Sequence, residues 1–276
     1  MIASNQGVAI LRSEGVTLAY DKRMIVENLS LDIPAGSFTA IIGPNACGKS
    51  TLLRAMAGLL APTSGRIILD GKVIATLSPR DIAQKMGLLP QTAIAPEGIT
   101  VAELVARGRY VHQRLLRRWS SMDRDAVANA LHVTKIADLA DRRVEQLSGG
   151  QRQRVWIAMV LAQQAPLILL DEPTTYLDIA HQMDVLNLLH ELNVSGRTIV
   201  AVLHDLNHAA RYASHIIAMK DGMVIAAGPP AKVITPATVS EVFGLATEVI
   251  PDPVTGQPMV VPHDTRMAIR RGLPSR

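Results

Sequence analysis

The stretch that most constrains this 276-residue chain is Gly43-Pro44-Asn45-Ala46-Cys47-Gly48-Lys49-Ser50-Thr51, which matches the pattern G-x-x-x-x-G-K-[ST]. The apolar, β-branched run Phe38 to Ile42 precedes it directly, and the Ala/Leu/Met-rich run Thr51 to Ala57 follows, stopped at Gly58. Strand, glycine loop and helix in that order form the context this pattern requires. In such a loop, backbone N–H groups and a helix N-terminus offer donors to phosphate oxygens, Lys49 neutralises charge, and the Ser50 hydroxyl can ligate Mg²⁺. A chance match somewhere in the chain is on the order of 1% at ordinary glycine abundance. An ordinary glycine turn is therefore a weak alternative.

The rest of the chain is organised around that unit. Val16 to Tyr20, Ile25 to Ile33 and Arg66 to Leu69, the last closed by Asp70-Gly71, read as strands. From about Thr100 the pattern becomes helical. Thr100-Val-Ala-Glu103 is a capping box, Ser121 to His132 is a second helix, and Ser148 opens a third. After Pro166 strands return at Leu167 to Leu170 and Thr198 to Leu203, separated by a helix at Asp178 to Val194. This alternation implies right-handed βαβ units and a parallel sheet. The expected architecture is an α/β phosphate-loop NTPase: a RecA-like core with a β portion over 1–91 and 166–250, an inserted helical subdomain over 92–165, and a mostly irregular tail over 251–276.

Two further segments carry chemistry. Leu167-Ile-Leu-Leu-Asp171-Glu172 is an apolar strand ending in paired carboxylates, as expected if Asp171 holds Mg²⁺ and Glu172 lies near an attacking water. Helix capping would explain that pair if it stood alone, but the loop upstream favours chemistry. Leu147-Ser148-Gly149-Gly150-Gln151 places a serine and two glycines at a helix start, ready for another phosphate. One chain cannot comfortably bring two such helix ends to one γ-phosphate, so the second is expected from another subunit.

With these motifs in order, the chain resembles the nucleotide-binding subunits of the ATP-binding cassette (ABC) transporters over nearly its whole length. The resemblance implies that Tyr20 stacks on adenine and that Gln91, in LLPQ, senses Mg²⁺ and water while linking to the membrane subunit. It makes Ser148, Gly149, Gly150 and Gln151 a signature loop acting across a dimer, and Asp178, in TYLD, part of a loop crossing the dimer interface. Glu172 becomes the general base, and His204 a switch residue contacting the γ-phosphate. His204 and His208 could mimic a metal pair, but no carboxylate or cysteine constellation joins them. Family members usually carry glycine where this chain has Ala46. Either Ala46 has an ordinary backbone conformation or the loop tolerates some strain, since a Cβ at positive φ costs roughly 1–2 kcal/mol.

Tyr176-Leu-Asp-Ile-Ala-His-Gln182, His204-Asp-Leu-Asn-His-Ala-Ala-Arg-Tyr212 and the stretch from Val242-Phe-Gly-Leu245 to Val261-Pro262 are similar to a narrower group, the importer ATPases for ferric siderophores, haem and vitamin B12. Ferric siderophores are the first expectation for cargo. The implied cofactors are ATP and Mg²⁺. The implied partners are a second copy of the chain, transmembrane permease subunits and, indirectly, a substrate-binding protein. The implied location is the cytoplasmic face of the membrane, held peripherally.

Composition agrees and removes other classes. Hydrophobic residues make up 48% but aromatic ones only 3%, so the core is aliphatic, which suits a sheet covered on both faces. No apolar run reaches the roughly 18 residues of a membrane span, the longest being Val155 to Ala162. Met1 to Arg12 does not read as a secretory signal. The single cysteine, Cys47, excludes an internal disulfide and a Cys-based zinc site. Beside a helix N-terminus its thiol is expected to have a lowered pKa, the alternative being a small packed side chain that reagents do not reach. The net charge of +4 owes part to the run His112 to Arg118, whose plain reading is a solvated face that binds no specific nucleic acid, the alternative being contact with lipid headgroups beside a membrane partner. A GTP switch protein would carry N/T-K-x-D, and Thr134-Lys-Ile-Ala-Asp138 misses that spacing by one residue. A soluble cassette for translation or repair would carry a fused second cassette or a long coiled coil. A pure interaction module would not need Glu172 with Lys49.

Overall fold

A computed structural model describes residues 9–21, 23–113 and 119–263. The N-terminal strands β1 (Ala9–Tyr20) and β2 (Arg23–Pro34) form a hairpin that joins β4 (Ser64–Leu69) and β5 (Lys72–Val73) in an antiparallel sheet of order β2-β1-β4-β5. The strand expected at Val16 starts seven residues earlier, at Ala9. Ser13, Glu14 and Gly15 break the alternation because the pairing shifts there, with Gly15 at φ 56°; a bulge hides a strand from any period-2 reading.

The second sheet, of order β10-β9-β3-β8-β7-β6, contains β3 (Phe38–Ile42), β6 (Met86–Leu89), β7 (Leu167–Leu170), β8 (Thr198–Val202), β9 (His215–Lys220) and β10 (Met223–Gly228). All neighbours are parallel except β9 and β10. Successive residues of its central strands enter opposite cores. Phe38, Ala40 and Ile42, Ile168 and Leu170, and Ile199 and Ala201 face one side. Ile41, Leu167, Leu169, Val200 and Val202 face the other. Covering on both faces explains why these strands are continuously apolar rather than alternating.

Helix α1 (Lys49–Met56) follows β3 through the glycine loop, and the short α2 (Pro79–Lys85) precedes β6. Between β6 and β7 lie α3 (Val101–Ala106), α4 (Ser121–Val133) and α5 (Gly149–Ala162). Each is opened by a reciprocal capping box, from Thr100, Ser120 and Ser148 respectively. The apolar run Val155 to Ala162 is the buried half of α5. Of the basic run His112 to Arg118, residues 114–118 lie outside the described residues. Helix α6 (Ile179–Val194) connects β7 to β8, α7 (Leu206–Tyr212) connects β8 to β9, and α8 (Pro230–Val233) and α9 (Pro236–Phe243) follow β10.

The expectation of an irregular segment from Pro251 is corrected within the described residues. Strand β11 (Thr247–Pro251) pairs antiparallel with β12 (Pro258–Pro262). Asp252 organises the intervening turn by accepting from the N–H groups of Val254 (2.8 Å) and Thr255 (3.1 Å). Asn207 on α7 bonds both backbone groups of Val260, and Arg211 donates to Asp252 at 2.5 Å. Pro251, Pro258 and Pro262 sit at strand ends and Pro253 in the turn, where a missing N–H is tolerated.

Because β3, β6, β7 and β8 run parallel, their C-terminal ends open on one edge of the sheet. Gly43, Pro90-Gln91, Asp171-Glu172 and Leu203-His204 all fall there, outside the carboxyl ends of the strands where open α/β sheets bind ligands.

Candidate functional site

The loop after β3 is tightly specified. A Cβ added at Gly43 would stand 2.2 Å from the Met219 carbonyl oxygen and 2.8 Å from Cys47 Sγ, so no side chain fits. Gly48 caps α1 at φ 102°, a conformation glycine adopts freely. Ala46 stands at φ 62°. Of the two alternatives left open by the sequence, the loop carries the strain. The Lys49 ammonium turns back into its own loop, donating to the carbonyls of Gly43 (2.9 Å) and Pro44 (2.7 Å). There the lysine is buried, at 5% exposure.

Below the loop, the Ser50 hydroxyl donates to Asp171 Oδ1 at 2.7 Å. Burial pushes the Asp171 carboxyl above its ordinary pKa and the neighbouring Glu172 adds to this, while the Ser50 hydrogen bond opposes both. Glu172, at φ 55°, is held from three sides. Its Oε2 accepts from Gln91 Nε2 (2.8 Å) and Thr175 Oγ1 (3.0 Å), and its Oε1 lies 2.8 Å from His204 Nε2. A non-glycine residue in the left-handed region persists when its surroundings over-determine it, and such strain concentrates at functional sites.

These groups border one cleft of about 580 Å³. Of the residues singled out in the sequence, Asn45, Ala46, Gly48, Lys49, Ser50, Thr51, Gln91, Glu172 and His204 line it. Gly43, Pro44 and Asp171 lie behind that lining as support. Tyr20 pairs with Arg23 at the hairpin end and is not part of the lining, whereas Arg23 and Ile25 are. Ser148, Gly149, Gly150, Gln151 and Asp178 also lie outside it. Ser148 and Asp178 each act as a helix cap, accepting from the N–H of Gln151 and of His181. Thr175 lines the cleft without having been singled out, and Tyr176, named only within a segment similar to the importer group, lines it as well. Their signal was position alone, between Glu172 and Asp178.

The expected acidic thiol at Cys47 is overturned. Cys47 is 4% exposed, its carbonyl accepts from Gly222 N–H in the β9–β10 turn, and burial pushes the thiol above its ordinary pKa despite the opposing charge of Lys49. Desolvation disfavours the thiolate more than the helix end and the lysine favour it.

The sequence pattern of the ABC transporter family matches residues 26–175. The chain therefore belongs to the ABC transporter family, as one of its ATP-hydrolysing cassettes. It is 54% identical over 258 residues to the ferric enterobactin transport ATP-binding protein FepC of Escherichia coli (strain K12), covering 93% of this chain and 95% of that one. With the hemin import ATP-binding protein HmuV of Thermobifida fusca (strain YX) it shares 36% identity over 261 residues, 93% and 89% of the two chains. Its fold matches the dimeric post-hydrolysis state of an ATP-binding cassette bound to ADP and Pi with a TM-score of 0.71 and 33% identity, over 79% of this chain and 98% of that one.

Proposed function

We propose that this chain energises an importer of ferric siderophores, working as a homodimer beneath a pair of permease subunits fed by a substrate-binding protein. The observation that carries the catalytic part is the convergence of Lys49, Ser50, Asp171, Glu172, Gln91 and His204 at the carboxyl edge of one parallel sheet. The cargo rests on the higher identity to the enterobactin relative, 54%, than to the hemin relative, 36%. Haem or vitamin B12 import is the alternative cargo, and a soluble cassette the alternative class. Among the described residues no helix is long and apolar enough to cross a membrane, so the attachment proposed is peripheral, through the permease at the cytoplasmic face.

In this reading ATP lies along the loop 43–51, its phosphates facing backbone N–H groups and the start of α1. Lys49 leaves the Gly43 and Pro44 carbonyls for the phosphate oxygens. Tyr20 stacks on the adenine from the hairpin end beside Arg23. The oxygen donors fit Mg²⁺: Ser50 Oγ and Asp171 Oδ1 are already 2.7 Å apart, and Gln91 adds an amide oxygen, a hard set suited to that cation. Bound Mg²⁺ supplies charge neutralisation on the phosphate oxygens. Glu172 orients the attacking water and takes its proton, and His204 turns between Glu172 and the γ-phosphate. Segment 92–165 is the helical subdomain, carrying Ser148 to Gln151 to the nucleotide held by the second copy, with Asp178 at the interface between copies. Closure on ATP pulls the helical subdomains together, and hydrolysis releases them.

The test is ATP turnover of the chain co-purified with its permease and supplied with loaded binding protein. Stimulation by ferric siderophore and not by haem or vitamin B12 is expected. Stimulation by haem or vitamin B12 alone would reassign the cargo, and turnover indifferent to every loaded binding protein would remove the importer reading.

A further inference from the structure

The loop at Asp178 and the start of α5 touch within one chain, and the contact is made by a residue with no assigned part in turnover. His181 lies in the first turn of α6. Its backbone N–H donates to Asp178 Oδ1 at 2.9 Å, and its ring Nδ1 lies 2.7 Å from the same oxygen. That double contact turns the ring onto α5. A Cβ added at the buried Gly150 would stand 2.3 Å from His181 Cδ2, 2.8 Å from Cγ and 3.0 Å from Nε2, so in this chain the imidazole occupies the space a side chain at 150 would need. Real Cβ contacts do not come that close, so either the ring or the start of α5 would have to shift. The adjacent residues are near as well: a Cβ at Gly149 would be 3.9 Å from Leu177 Cδ2. One turn further along both helices, Arg154 of α5 pairs with Asp184 of α6.

We propose that His181 is a positioning residue that fastens the Asp178 loop to the N-terminus of α5, so that the two segments move as one body. The inference rests on the reading above, in which both segments serve the nucleotide of the second copy. The contact is poorly placed for a purely structural duty, because the His181 side chain is 40% exposed and Ser148, Gly149 and Asp178 are exposed around it. Little apolar area is removed from water there. What the contact fixes is the relative position of two exposed segments. Residues in direct contact couple, and coupling of this kind typically alters a linked equilibrium by about 2- to 30-fold.

The first test needs neither nucleotide nor dimer. In the full-length, nucleotide-free chain, the amides of Gln151 and Arg152 donate to the Ser148 side chain and carbonyl. Hydrogen exchange at these two amides is expected to quicken by about 2- to 30-fold in His181→Ala, with His181→Gln, whose amide can still reach Asp178, close to wild type. Exchange altered only at 178–182, or equally in both variants, overturns the inference. The second test is a double-variant cycle on the same two amides, again without nucleotide. Gly150→Ala alone is expected to quicken their exchange, whereas adding it to His181→Ala quickens it no further, because the ring it collides with is gone; full additivity overturns the inference. A Glu172→Gln chain that never dimerises with ATP, alongside the expected exchange result, would sink the shared-site reading while leaving the His181 contact standing.

Discussion

Replacing Glu172 by glutamine separates its proposed chemistry from its structural duties. The carboxylate has 11% side-chain exposure and makes contacts a glutamine can reproduce. An amide oxygen placed at Oε2 still accepts from Gln91 and Thr175, and an amide nitrogen at Oε1 donates to His204 Nε2 when that nitrogen carries no proton. All three contacts survive in this one orientation once the His204 proton sits on Nδ1, so the structural cost is expected at about 1 kcal/mol, the net worth of a single hydrogen bond. What glutamine cannot do is take a proton from the attacking water. General-base assistance contributes about 10²- to 10⁴-fold, which is roughly 3–5 kcal/mol of barrier, well above that structural cost. Phosphate release should therefore fall by that factor, the thermal midpoint should barely move, and nucleotide affinity should persist. Size-exclusion chromatography with ATP and Mg²⁺ should show a dimer accumulating, because closure is retained while the step that reopens it is blocked. Near-wild-type phosphate release would remove Glu172 from the mechanism. Lost turnover without an ATP-dependent dimer would leave the base in place and count against closure.

Other perturbations have outcomes set by the same geometry. Maleimide should label Cys47 slowly in the native chain at neutral pH and fully after unfolding, because the thiol is buried and its pKa raised; rapid labelling of the native protein would contradict that burial. Ala46→Gly removes a Cβ from φ 62°, relieving roughly 1–2 kcal/mol of strain against about 0.5–1 kcal/mol of added chain entropy. Thermal melting should show a small gain, and a loss would refute the strain argument. Asp123→Ala leaves the buried Arg109 guanidinium, which donates to Asp123 at 2.9 Å, with only the neutral acceptors Ala162 O and Gln164 Oε1, and urea titration should show about 3 kcal/mol lost, the lower end for a broken buried pair. The Ser120 hydroxyl and N–H, with Arg109, hold the Asp123 carboxyl at about 2. Its contribution is therefore complete above the unfolded value of 3.8 and lost as pH falls from there through about 2. A wild-type urea midpoint that is flat across that window, or unchanged in the variant, would dispose of the pair as a stabilising element.

What the sequence disclosed and what it concealed divide along the range of the interactions involved. Phe38–Ile42, Leu167–Leu170 and the capping boxes at Thr100 and Ser148 are legible because each signal lies within a few residues of its effect. The cleft lining around Lys49 was legible for the same reason, since the loop pattern names its own residues. The acidity of Cys47 was misjudged because a local cue, the helix end, was outweighed by burial of the thiol in the fold. The strand after Pro251 was missed because Asn207 and Arg211, on a helix some fifty and forty residues away respectively, supply the partners that order it. Gly150 shows the division within one residue. Read along the chain, it is a glycine at a helix start, suited to the approach of a phosphate; in the fold, the space beside it already holds His181. A motif thus states which residue types are required, while the reason for each requirement can lie with a neighbour that no local pattern contains. The exchange cycle between Gly150 and His181, run without nucleotide, tests the second reason alone: a coupled pair shows that the ring requires the glycine whether or not a phosphate does.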